Sequence, residues 1–347
     1  MSHWTGHRVL ITGGASFIGS HLVDALVARE AEVRVVDDLS SGKLENIQHH
    51  LAEGTVEFIQ ADLREPGVTR MALKGIDMVF HLAADHGGRG YVDTYQAGPA
   101  SNLYLDGLVF SEALKARVEK VVFASSGCVY PNFLQSDPEK EVYLTEDLVK
   151  PPYDADNMYG WAKLMGELTL RAYHKEFGLK AASCRYFTVY GPRAKEDHAV
   201  MAMIARAFVR QDPFQVWGTG EQIRNWTYVN DIVSGTILAA EKIEDGTAVN
   251  LGTVERTRVL DAVKMVLEIT GHRAEIVTLP DMPTGPLNRV ADNSLARELL
   301  GWEVTVPFRE GLRRTTEWYF STKKREEVRR VMEEGGLIER KLPSKAT

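Results

Sequence analysis

One stretch near the N-terminus decides the fold: Arg8-Val9-Leu10-Ile11-Thr12-Gly13-Gly14-Ala15-Ser16-Phe17-Ile18-Gly19. Its first five residues form an apolar, β-branched run that predicts a buried strand, and a helix is expected to begin at Ile18. Gly13 supplies the tight turn, and Gly19 lets the helix pack closely on the sheet. Ser16 occupies the position of the middle glycine in G-x-x-G-x-x-G, which weakens the motif. Backbone N–H groups at such a helix N-terminus bind pyrophosphate, so the candidate dinucleotide contacts are Gly13, Ser16, Phe17, Ile18 and Gly19.

The following sequence alternates between strand and helix patterns. Predicted strands cover Arg8–Thr12, Glu32–Asp37, Val56–Gln60, Met78–Leu82, Val121–Ser125 and Ala181–Tyr186, and predicted helices cover Ile18–Arg29, Pro66–Leu73 and Ala100–Ala116. This alternation predicts an α/β fold, a Rossmann-like, doubly wound parallel sheet with right-handed crossovers.

Beyond Tyr190-Gly191-Pro192 the pattern changes, which predicts a smaller C-terminal α/β lobe for the substrate. Its predicted helices cover Ala199–Arg210, Asn230–Glu241 and Leu260–Thr270. We expect a cofactor domain over residues 1–186 and a lobe mainly over residues 187–347, with a chain that can cross between them more than once. The tail Phe308–Lys341, rich in Arg, Glu and Lys, is interpreted as a solvated helix without chemistry.

Composition and charge exclude several classes of protein. The 347 residues have a net charge of -7, whereas a nucleic-acid-binding surface needs a basic face. Cys128 and Cys184 are too few for a disulfide framework, and neither has metal-ligand spacing. No apolar run approaches the roughly 20 residues that cross a bilayer. The sequence therefore predicts a cytoplasmic protein with a small-molecule partner, and no metal, nucleic-acid or membrane partner.

Acidic residues after the second and third predicted strands indicate which dinucleotide binds. Asp37 and Asp38 follow the glycine loop by roughly twenty residues, where a carboxylate accepts hydrogen bonds from the adenosine ribose. A carboxylate there repels a 2′-phosphate, which favours NAD over NADP. Asp62 and Leu63 are positioned to frame the adenine edge.

Tyr159 and Lys163 form a Y-x-x-x-K spacing in Tyr-Gly-Trp-Ala-Lys. Positions i and i+4 share one face of a helix, so the Lys163 ammonium is expected to lower the phenol pKa of Tyr159 from about 10. A phenolate near neutral pH can deprotonate a hydroxyl. Such a pair is common on solvated helix faces, but its place after the glycine loop, the acidic residues and Ser125-Ser126 indicates redox chemistry on an alcohol.

Taken in order, these motifs resemble the extended short-chain dehydrogenase/reductase family and, within it, the NAD-dependent nucleotide-sugar epimerases. The resemblance rests on Thr12-Gly13 to Gly19, Asp62-Leu63, His81-Leu82-Ala83-Ala84, Ser125-Ser126, Tyr159 with Lys163, Arg185-Tyr186-Phe187, Tyr190-Gly191-Pro192 and Gly301-Trp302. It implies that Tyr159 is the base toward the sugar hydroxyl, that Lys163 binds the nicotinamide ribose, and that Ser126 hydrogen-bonds the same sugar oxygen. NAD would be reduced and reoxidised in each turnover, and Leu82, Ala83 and Ala84 would line its site.

The resemblance also implies a homodimer and a set of substrate contacts. The helices over residues 100–116 and 158–177 would pair with those of a second copy as a four-helix bundle. The substrate candidates are Gly87, Gly88, Arg89, Ser126, Cys128, Thr188, Arg224 and Arg289. Arg224 and Arg289 match the family's diphosphate-binding arginines. Thr188 stands where many relatives have asparagine, and Arg89 either meets a sugar carboxylate or faces solvent.

The residues after Ser126 narrow the reaction. Sugar 4,6-dehydratases of this family typically carry an Asp-Glu pair here and uronate decarboxylases a glutamate, whereas this chain has Gly127 and Cys128. The stretches Ser125–Pro131 and Ala84–Gly90 resemble the GDP-mannose 3,5-epimerases, in which oxidation at C4 makes the C3 and C5 protons acidic. That resemblance implies Cys128 as one acid/base.

The second acid/base and the reaction itself stay open at this point. His198 stands where the 3,5-epimerases have a lysine, and Lys195 lies three residues earlier. If Cys128 is only a small buried side chain, the same scaffold epimerises a UDP-hexose or UDP-hexuronate at C4 by rotation of a 4-keto sugar. The stretch Asp37–Asn46 resembles UDP-hexose 4-epimerases. A third possibility is an NAD-binding sensor or scaffold, against which the intact Tyr159, Lys163 and Ser126 count.

Overall fold

The computed structural model describes residues 3–338. In chain order its strands are β1 (Arg8–Thr12), β2 (Glu32–Asp37), β3 (Val56–Gln60), β4 (Met78–His81), β5 (Lys120–Ser126), β6 (Lys180–Tyr186), β7 (Val189–Tyr190), β8 (Phe214–Trp217), β9 (Ile223–Arg224), β10 (Thr227–Tyr228), β11 (Asp245–Leu251), β12 (Thr257–Arg258), β13 (Ile276–Leu279) and β14 (Asn288–Arg289). Its α-helices are α1 (Phe17–Val27), α2 (Gln48–Glu53), α3 (Val68–Ala72), α4 (Arg89–Thr94), α5 (Ala97–Ala100), α6 (Asn102–Lys115), α7 (Asn157–Phe177), α8 (Ala199–Phe208), α9 (Val229–Lys242), α10 (Val259–Thr270), α11 (Ser294–Leu300), α12 (Phe308–Thr322) and α13 (Arg325–Glu334).

Seven strands form the main sheet, in the order β11-β6-β5-β4-β1-β2-β3. All of its strand pairs are parallel. Helices flank the sheet, so that its central strands are buried on both faces, which explains their continuous apolar sequences. The predicted Rossmann-like fold is confirmed, and β1 to β6 match the predicted strands to within one residue at each end.

The seventh strand of the sheet comes from the C-terminal half of the chain. β11 pairs in parallel with β6, and α9 contributes Ile232 and Ile237 to the apolar core that contains Val9 and Ile11 of β1. The helix predicted over Asn230–Glu241 therefore packs on the main sheet and not in the smaller lobe. β11 was not among the predicted strands, because polar and glycine residues interrupt its short apolar run.

The smaller lobe is built from α8, α10, α12 and α13 with short strands. β8 pairs with β13, and β9 lies between β12 and β14. The interpretation of the tail Phe308–Lys341 as a solvated helix was wrong for the described part. α12 buries Phe308 and Tyr319 and α13 buries Met332 in the core of the lobe, because apolar residues at helical spacing lie among the charges. Residues 339–341 of that prediction lie outside the described range.

The carboxyl ends of the parallel strands face the smaller lobe across a crevice. The loops after β1, β2, β4 and β5 enter this crevice from the sheet, and residues after β7 and from β9 and β14 enter it from the lobe. Ligands of open parallel sheets bind at this position. Among the helices of residues 3–338, none is both long and apolar enough to cross a bilayer.

Candidate active site

A cavity of about 490 Å³ fills the crevice between sheet and lobe. Its lining includes Gly13, Ser16, Phe17, Ile18, Gly19, Asp37, Asp38, Asp62, Leu63, Leu82, Ala83, Ala84, Gly87, Gly88, Arg89, Ser126, Cys128, Tyr159, Lys163, Thr188, Lys195, His198, Arg224 and Arg289. The structure thus brings every candidate site residue of the sequence analysis to one cavity, although these residues are spread over most of the chain.

The glycine loop after β1 has no room for larger residues. Gly13 has a φ of +70°, and a Cβ on Gly19 would lie 2.2 Å from the Gly13 carbonyl oxygen. Ser16 precedes α1 without a side-chain hydrogen bond to the helix, and its hydroxyl instead donates to Asp37 at 3.4 Å. The first N–H groups of α1 therefore remain available to a ligand anion.

The two acidic residues after β2 have different surroundings. The buried Asp37 carboxylate accepts hydrogen bonds from the backbone N–H groups of Ala15 (3.0 Å) and Leu39 (2.9 Å). Burial raises the pKa of Asp37 despite these bonds. Asp38 is exposed and accepts a hydrogen bond from the Ser40 hydroxyl at 2.6 Å. Asp37 therefore holds the glycine loop to β2, and both carboxylates border the cavity.

The ammonium group of Lys163 is buried, and its N–H groups make no hydrogen bond within the part of the chain that the structure describes. The side chain is 1 % exposed, its Nζ lies 4.6 Å from the centroid of the Phe123 ring, and it has no hydrogen-bond acceptor among residues 3–338. Burial lowers the pKa of Lys163, and the negative charge of Asp106 opposes that effect. A buried ammonium beside a cavity fits the hydroxyls of a nucleotide ribose. Together with the loop after β1, Lys163 fits NAD.

Tyr159 lies one turn before Lys163 on α7, with the Lys163 Nζ 5.9 Å from its ring centroid. Burial raises the pKa of Tyr159, negative charge on Cys128 raises it further, and a hydrogen bond with Ser126 lowers it. The prediction that Lys163 brings the phenol pKa below its ordinary value was therefore wrong. Removal of the phenol from water has a larger effect than the neighbouring ammonium.

Cys128 lies in the short turn after β5 and is tied to α7. The backbone N–H of Asp156 donates to the Cys128 carbonyl oxygen at 2.8 Å, and a Cβ on Gly160 would lie 2.3 Å from the same oxygen. The Cys128 N–H donates to the Ser126 hydroxyl oxygen at 3.1 Å. The thiol is partly exposed at the cavity wall.

Arg289 contacts the Cys128 thiol. Its Nη1 donates to Cys128 Sγ at 3.1 Å, its Nη2 to Asp156 at 2.9 Å, and its Nε to Gln135 at 2.7 Å. Arg89 shares Asp156, donating to it at 2.7 Å, and also pairs with Asp93. The structure therefore holds Arg289 against a sulfur and a carboxylate, and directs Arg89 to carboxylates of its own chain rather than to solvent.

Two further arginines form a positive wall. Arg224 donates to the carbonyl oxygens of Ile223 and Thr284 at 2.8 and 2.7 Å, and burial lowers its pKa to about 9 with help from Arg289 and Arg89. Arg206 of α8 also lines the cavity, and its buried Nε has no hydrogen-bond partner. Neither guanidinium is ion-paired with a carboxylate of residues 3–338. An anionic ligand would satisfy both.

Comparison with known proteins agrees with this geometry. The sequence model of the NAD dependent epimerase/dehydratase family matches residues 9–252. The chain belongs to this family. Its members and its structural neighbours are NAD-dependent enzymes that act on nucleotide sugars, so the protein is an NAD-dependent enzyme of that kind.

Curated relatives of this epimerase/dehydratase differ in the reactions that their names state. The chain is 32% identical to the uncharacterized UDP-glucose epimerase YtcB of Bacillus subtilis, over 88% of this chain and 95% of that protein. It is 33% identical to UDP-glucuronic acid decarboxylase 2 of Arabidopsis thaliana, over 88% of this chain and 67% of that protein. It is 30% identical to GDP-mannose 3,5-epimerase 1 of Oryza sativa subsp. japonica, over 90% of this chain and 81% of that protein.

A solved structure of similar fold contains both cofactor and substrate. It is UDP-glucuronic acid 4-epimerase from Bacillus cereus in complex with UDP-glucuronic acid and NAD, with a TM-score of 0.82 and 30% identity. The match covers 91% of this chain and all of that one.

Several residues that line the cavity of this epimerase/dehydratase were not predicted from sequence, among them His86, Asp197 and Arg206. A lone arginine within the otherwise apolar α8 was a detectable sign of a buried cation. Asp197 precedes the predicted His198 and accepts a hydrogen bond from the Gly88 N–H at 3.0 Å. His86 lay in a quoted stretch, but the sequence does not reveal what its ring contacts.

One group of possible metal ligands lies among the described residues. Asp24 of α1 and His49 and His50 of α2 bring their ligating atoms within 4.8 Å of one another. The Arg193 guanidinium also donates to Asp24 at 2.8 Å. This arginine already supplies the positive charge that a metal ion would bring to the carboxylate.

Proposed function

We propose that the protein is a nucleotide-sugar epimerase that oxidises its substrate at C4 and then exchanges protons at C3 and C5, as a GDP-mannose 3,5-epimerase does. The observation that carries this proposal is the Cys128 thiol, which borders the same cavity as Tyr159 and accepts a hydrogen bond from Arg289. A purely structural cysteine would have no need of a charged donor. Cys184, buried in β6 away from the cavity, has that inert setting.

Tyr159 and Ser126 are the groups that receive the C4 hydroxyl. Tyr159 hydrogen-bonds with Ser126, so the sugar oxygen can bind to both, and the phenolate form of Tyr159 takes the hydroxyl proton and becomes the neutral phenol. NAD, when bound, supplies the hydride acceptor for C4. The phenol formed in that step returns its proton to the same oxygen when the alcohol is re-formed. Because burial raises the phenol pKa, the phenolate is a strong base in the first step.

Cys128 acts on the carbons next to C4. A carbonyl at C4 makes the protons on C3 and C5 acidic, because the electron pair left on carbon moves to the C4 oxygen. The Cys128 sulfur takes one such proton, and the Arg289 guanidinium at 3.1 Å stabilises negative charge on the sulfur before the transfer. The same thiol returns a proton to carbon as an acid.

The positive wall of the cavity suits the diphosphate of the substrate. Arg224 and Arg206 are buried and lack carboxylate partners among the described residues, and planar guanidinium groups bind phosphate oxygens in pairs. The 30% identity to a rice GDP-mannose 3,5-epimerase supports GDP-mannose as the first substrate to test.

A second candidate is C4 epimerisation of a UDP-hexose or UDP-hexuronate. It is favoured by the similarity to a UDP-glucuronic acid 4-epimerase structure. In that reaction Tyr159 alone handles a proton, and Cys128 has no chemical role.

Proton NMR in deuterated buffer decides between the two candidates. With GDP-mannose, the wild type is expected to form epimers with deuterium at C3 or C5. Cys128→Ala should lose this incorporation by about 100-fold or more, the usual size of an acid/base contribution, while Cys184→Ala retains it. A C4 epimer of UDP-glucose or UDP-glucuronate without deuterium, equally formed by both variants, would contradict the 3,5-epimerase proposal.

We also propose that the protein works in the cytoplasm as a homodimer built on α6 and α7. These helices pack against each other and expose Leu103, Tyr104, Trp161 and Met165. Apolar side chains on neighbouring helices suit a self-complementary four-helix interface. Light scattering of the wild type and of Trp161→Glu tests this, with a monomeric wild type as the contrary result.

A further inference from the structure

His86 lies in the loop after β4 and contacts Tyr159. The ring centroids of His86 and Tyr159 are 6.4 Å apart, with an interplanar angle of 57°. The His86 ring also lies 6.0 Å from the His198 ring, at 73°. Among residues 3–338, His86 is the histidine whose ring contacts Tyr159. His198, the candidate from sequence, is connected to Tyr159 through His86.

The backbone fixes the His86 loop against the His198 loop. The Gly88 N–H donates to the Asp197 carboxylate at 3.0 Å, and a Cβ on Gly88 would lie 2.1 Å from the Asp197 carbonyl oxygen. His198 Nε2 lies 3.8 Å from the same Asp197 carboxylate. These contacts hold the imidazoles of His86 and His198 in a fixed relative position, and the Asp197 carboxylate lies beside His198.

The charges around His86 keep its ring neutral. Protein atoms around the crevice partly remove the ring from bulk water and so lower its pKa to about 4, and the positive charges of His198, Lys163 and Lys195 act in the same direction, whereas Asp197 opposes them. The ring faces the cavity, where much of its surface is exposed. A neutral imidazole has a free lone pair with which it can accept a proton.

His86 and Cys128 have separate surroundings. Cys128 contacts Ser126 and Arg289, whereas His86 interacts with His198, Lys163, Asp197 and Lys195. Tyr159 is the residue that interacts with both. Inversion at a carbon requires removal of the proton from one face and its return to the opposite face. A second group beside Tyr159, distinct from Cys128, is therefore needed.

We propose that His86 is this second acid/base, and that His198, beside Asp197, relays its proton to solvent. The inference rests on the proposed 3,5-epimerase function. A ring nitrogen of His86 accepts the proton from C3 or C5 of the 4-keto sugar, and the carbon's electron pair moves to the C4 oxygen. Cys128 then delivers a proton to the other face of that carbon. The imidazolium then releases its proton to solvent by way of the partly exposed His198, whose positive charge Asp197 stabilises, and the Cys128 thiolate left by proton delivery takes up a proton from solvent, which restores both groups.

The test measures inversion and hydrogen exchange separately, by NMR with GDP-mannose in deuterated buffer. In His86→Gln, inversion at C3 and C5 should fall at least 100-fold, because glutamine cannot accept the proton. Exchange of deuterium into unepimerised substrate should fall equally in His86→Gln, whereas Cys128→Ala should retain this exchange within 10-fold of the wild type, because His86 can still remove and return the proton on its own face. His198→Gln should slow inversion about 10-fold without abolishing it.

Control variants distinguish a loss of the His86 acid/base role from misfolding and from a failure of the proposed function. His49→Gln, at an exposed site on α2, should behave as wild type, and His86→Asn serves as a second variant if His86→Gln folds poorly. Bound NAD and thermal unfolding verify that each variant retains its site. If His86→Gln inverts C3 or C5 within threefold of the wild type, the role of His86 is overturned. If the wild type itself inverts neither carbon, the proposed function fails, and the acid/base role fails with it.

Discussion

The cofactor end and the sugar end of the cavity are built in different ways. At the cofactor end, Gly13, Gly19 and Asp37 lie within thirty residues of one another, and the contacts among them involve backbone atoms. At the sugar end, the Arg289 guanidinium meets a thiol 161 positions earlier in the chain. The first end is a local structure that a short motif specifies, whereas the second depends on how sheet and lobe come together.

Both ends nevertheless contain a glycine without space for a side chain. A Cβ on Gly19 would meet the Gly13 carbonyl oxygen at 2.2 Å, and a Cβ on Gly160 would meet the Cys128 carbonyl oxygen at 2.3 Å. The same substitution at the two sites should therefore damage different functions. Gly19→Ala should weaken NAD binding, and Gly160→Ala should slow the reaction on the sugar.

The largest effect is expected at the sugar end, from Tyr159→Phe. Loss of the phenol oxygen removes the proton acceptor for the C4 hydroxyl, so turnover should fall about 1000-fold, within the range of acid/base contributions. Steady-state turnover by NMR measures the loss, and the NAD content of the purified variant should equal that of the wild type. Turnover within tenfold of the wild type would mean that another group accepts the proton.

The next largest effect is expected at the cofactor end, from Gly19→Ala. The added methyl group forces the glycine loop away from α1, and NAD affinity should fall about 100-fold, or about 3 kcal/mol. Gly107→Ala is the matched control, because α6 leaves open space around a Cβ at Gly107. Titration of NAD into both variants measures the difference, and equal affinities would show that the loop adapts.

The same contrast explains what sequence reasoning could predict. The strand, turn and helix around Gly13 follow from local patterns, as do β1 to β6, because continuous apolar runs and glycine turns have few structural solutions. The ring contact of His86 and the thiol contact of Arg289 join residues more than 70 positions apart. No local pattern records such contacts, and the raised pKa of Tyr159 depends on burial, which motif spacing does not contain.

A smaller effect, opposite in kind to that of Gly19→Ala, is expected from Gly160→Ala. The methyl group pushes the start of α7 away from the Cys128 turn, which moves Tyr159 relative to Ser126. Turnover should fall about 10-fold, since the expected shift is smaller than the roughly 1 Å misplacement that can cost about 100-fold, while the NAD content stays unchanged. If this variant lost NAD as Gly19→Ala does, the cofactor end and the sugar end would behave as one cooperative unit.

The smallest effect concerns the pH dependence of stability at the sugar end. His86 has a pKa lowered to about 4 in the folded protein, against about 6.5 in an unfolded chain. Between these values the unfolded chain binds a proton that the folded protein does not, so His86 stabilises the fold above about pH 6.5 and loses this contribution as the pH falls toward 4. Because the ring borders the cavity, screening should limit the loss to about 1 kcal/mol.

Urea unfolding of the wild type and of His86→Gln at about pH 7 and about pH 5 measures the contribution of His86 to the free energy of unfolding. The His86→Gln variant should lose less stability between the two pH values than the wild type does. Asp156 and Asp197 have lowered pKa values, so both carboxylates stay charged at the two pH values compared, although the Asp197 carboxylate interacts with His86. An equal loss in the two proteins would mean that His86 is not held neutral, and would remove the electrostatic basis for its proton exchange.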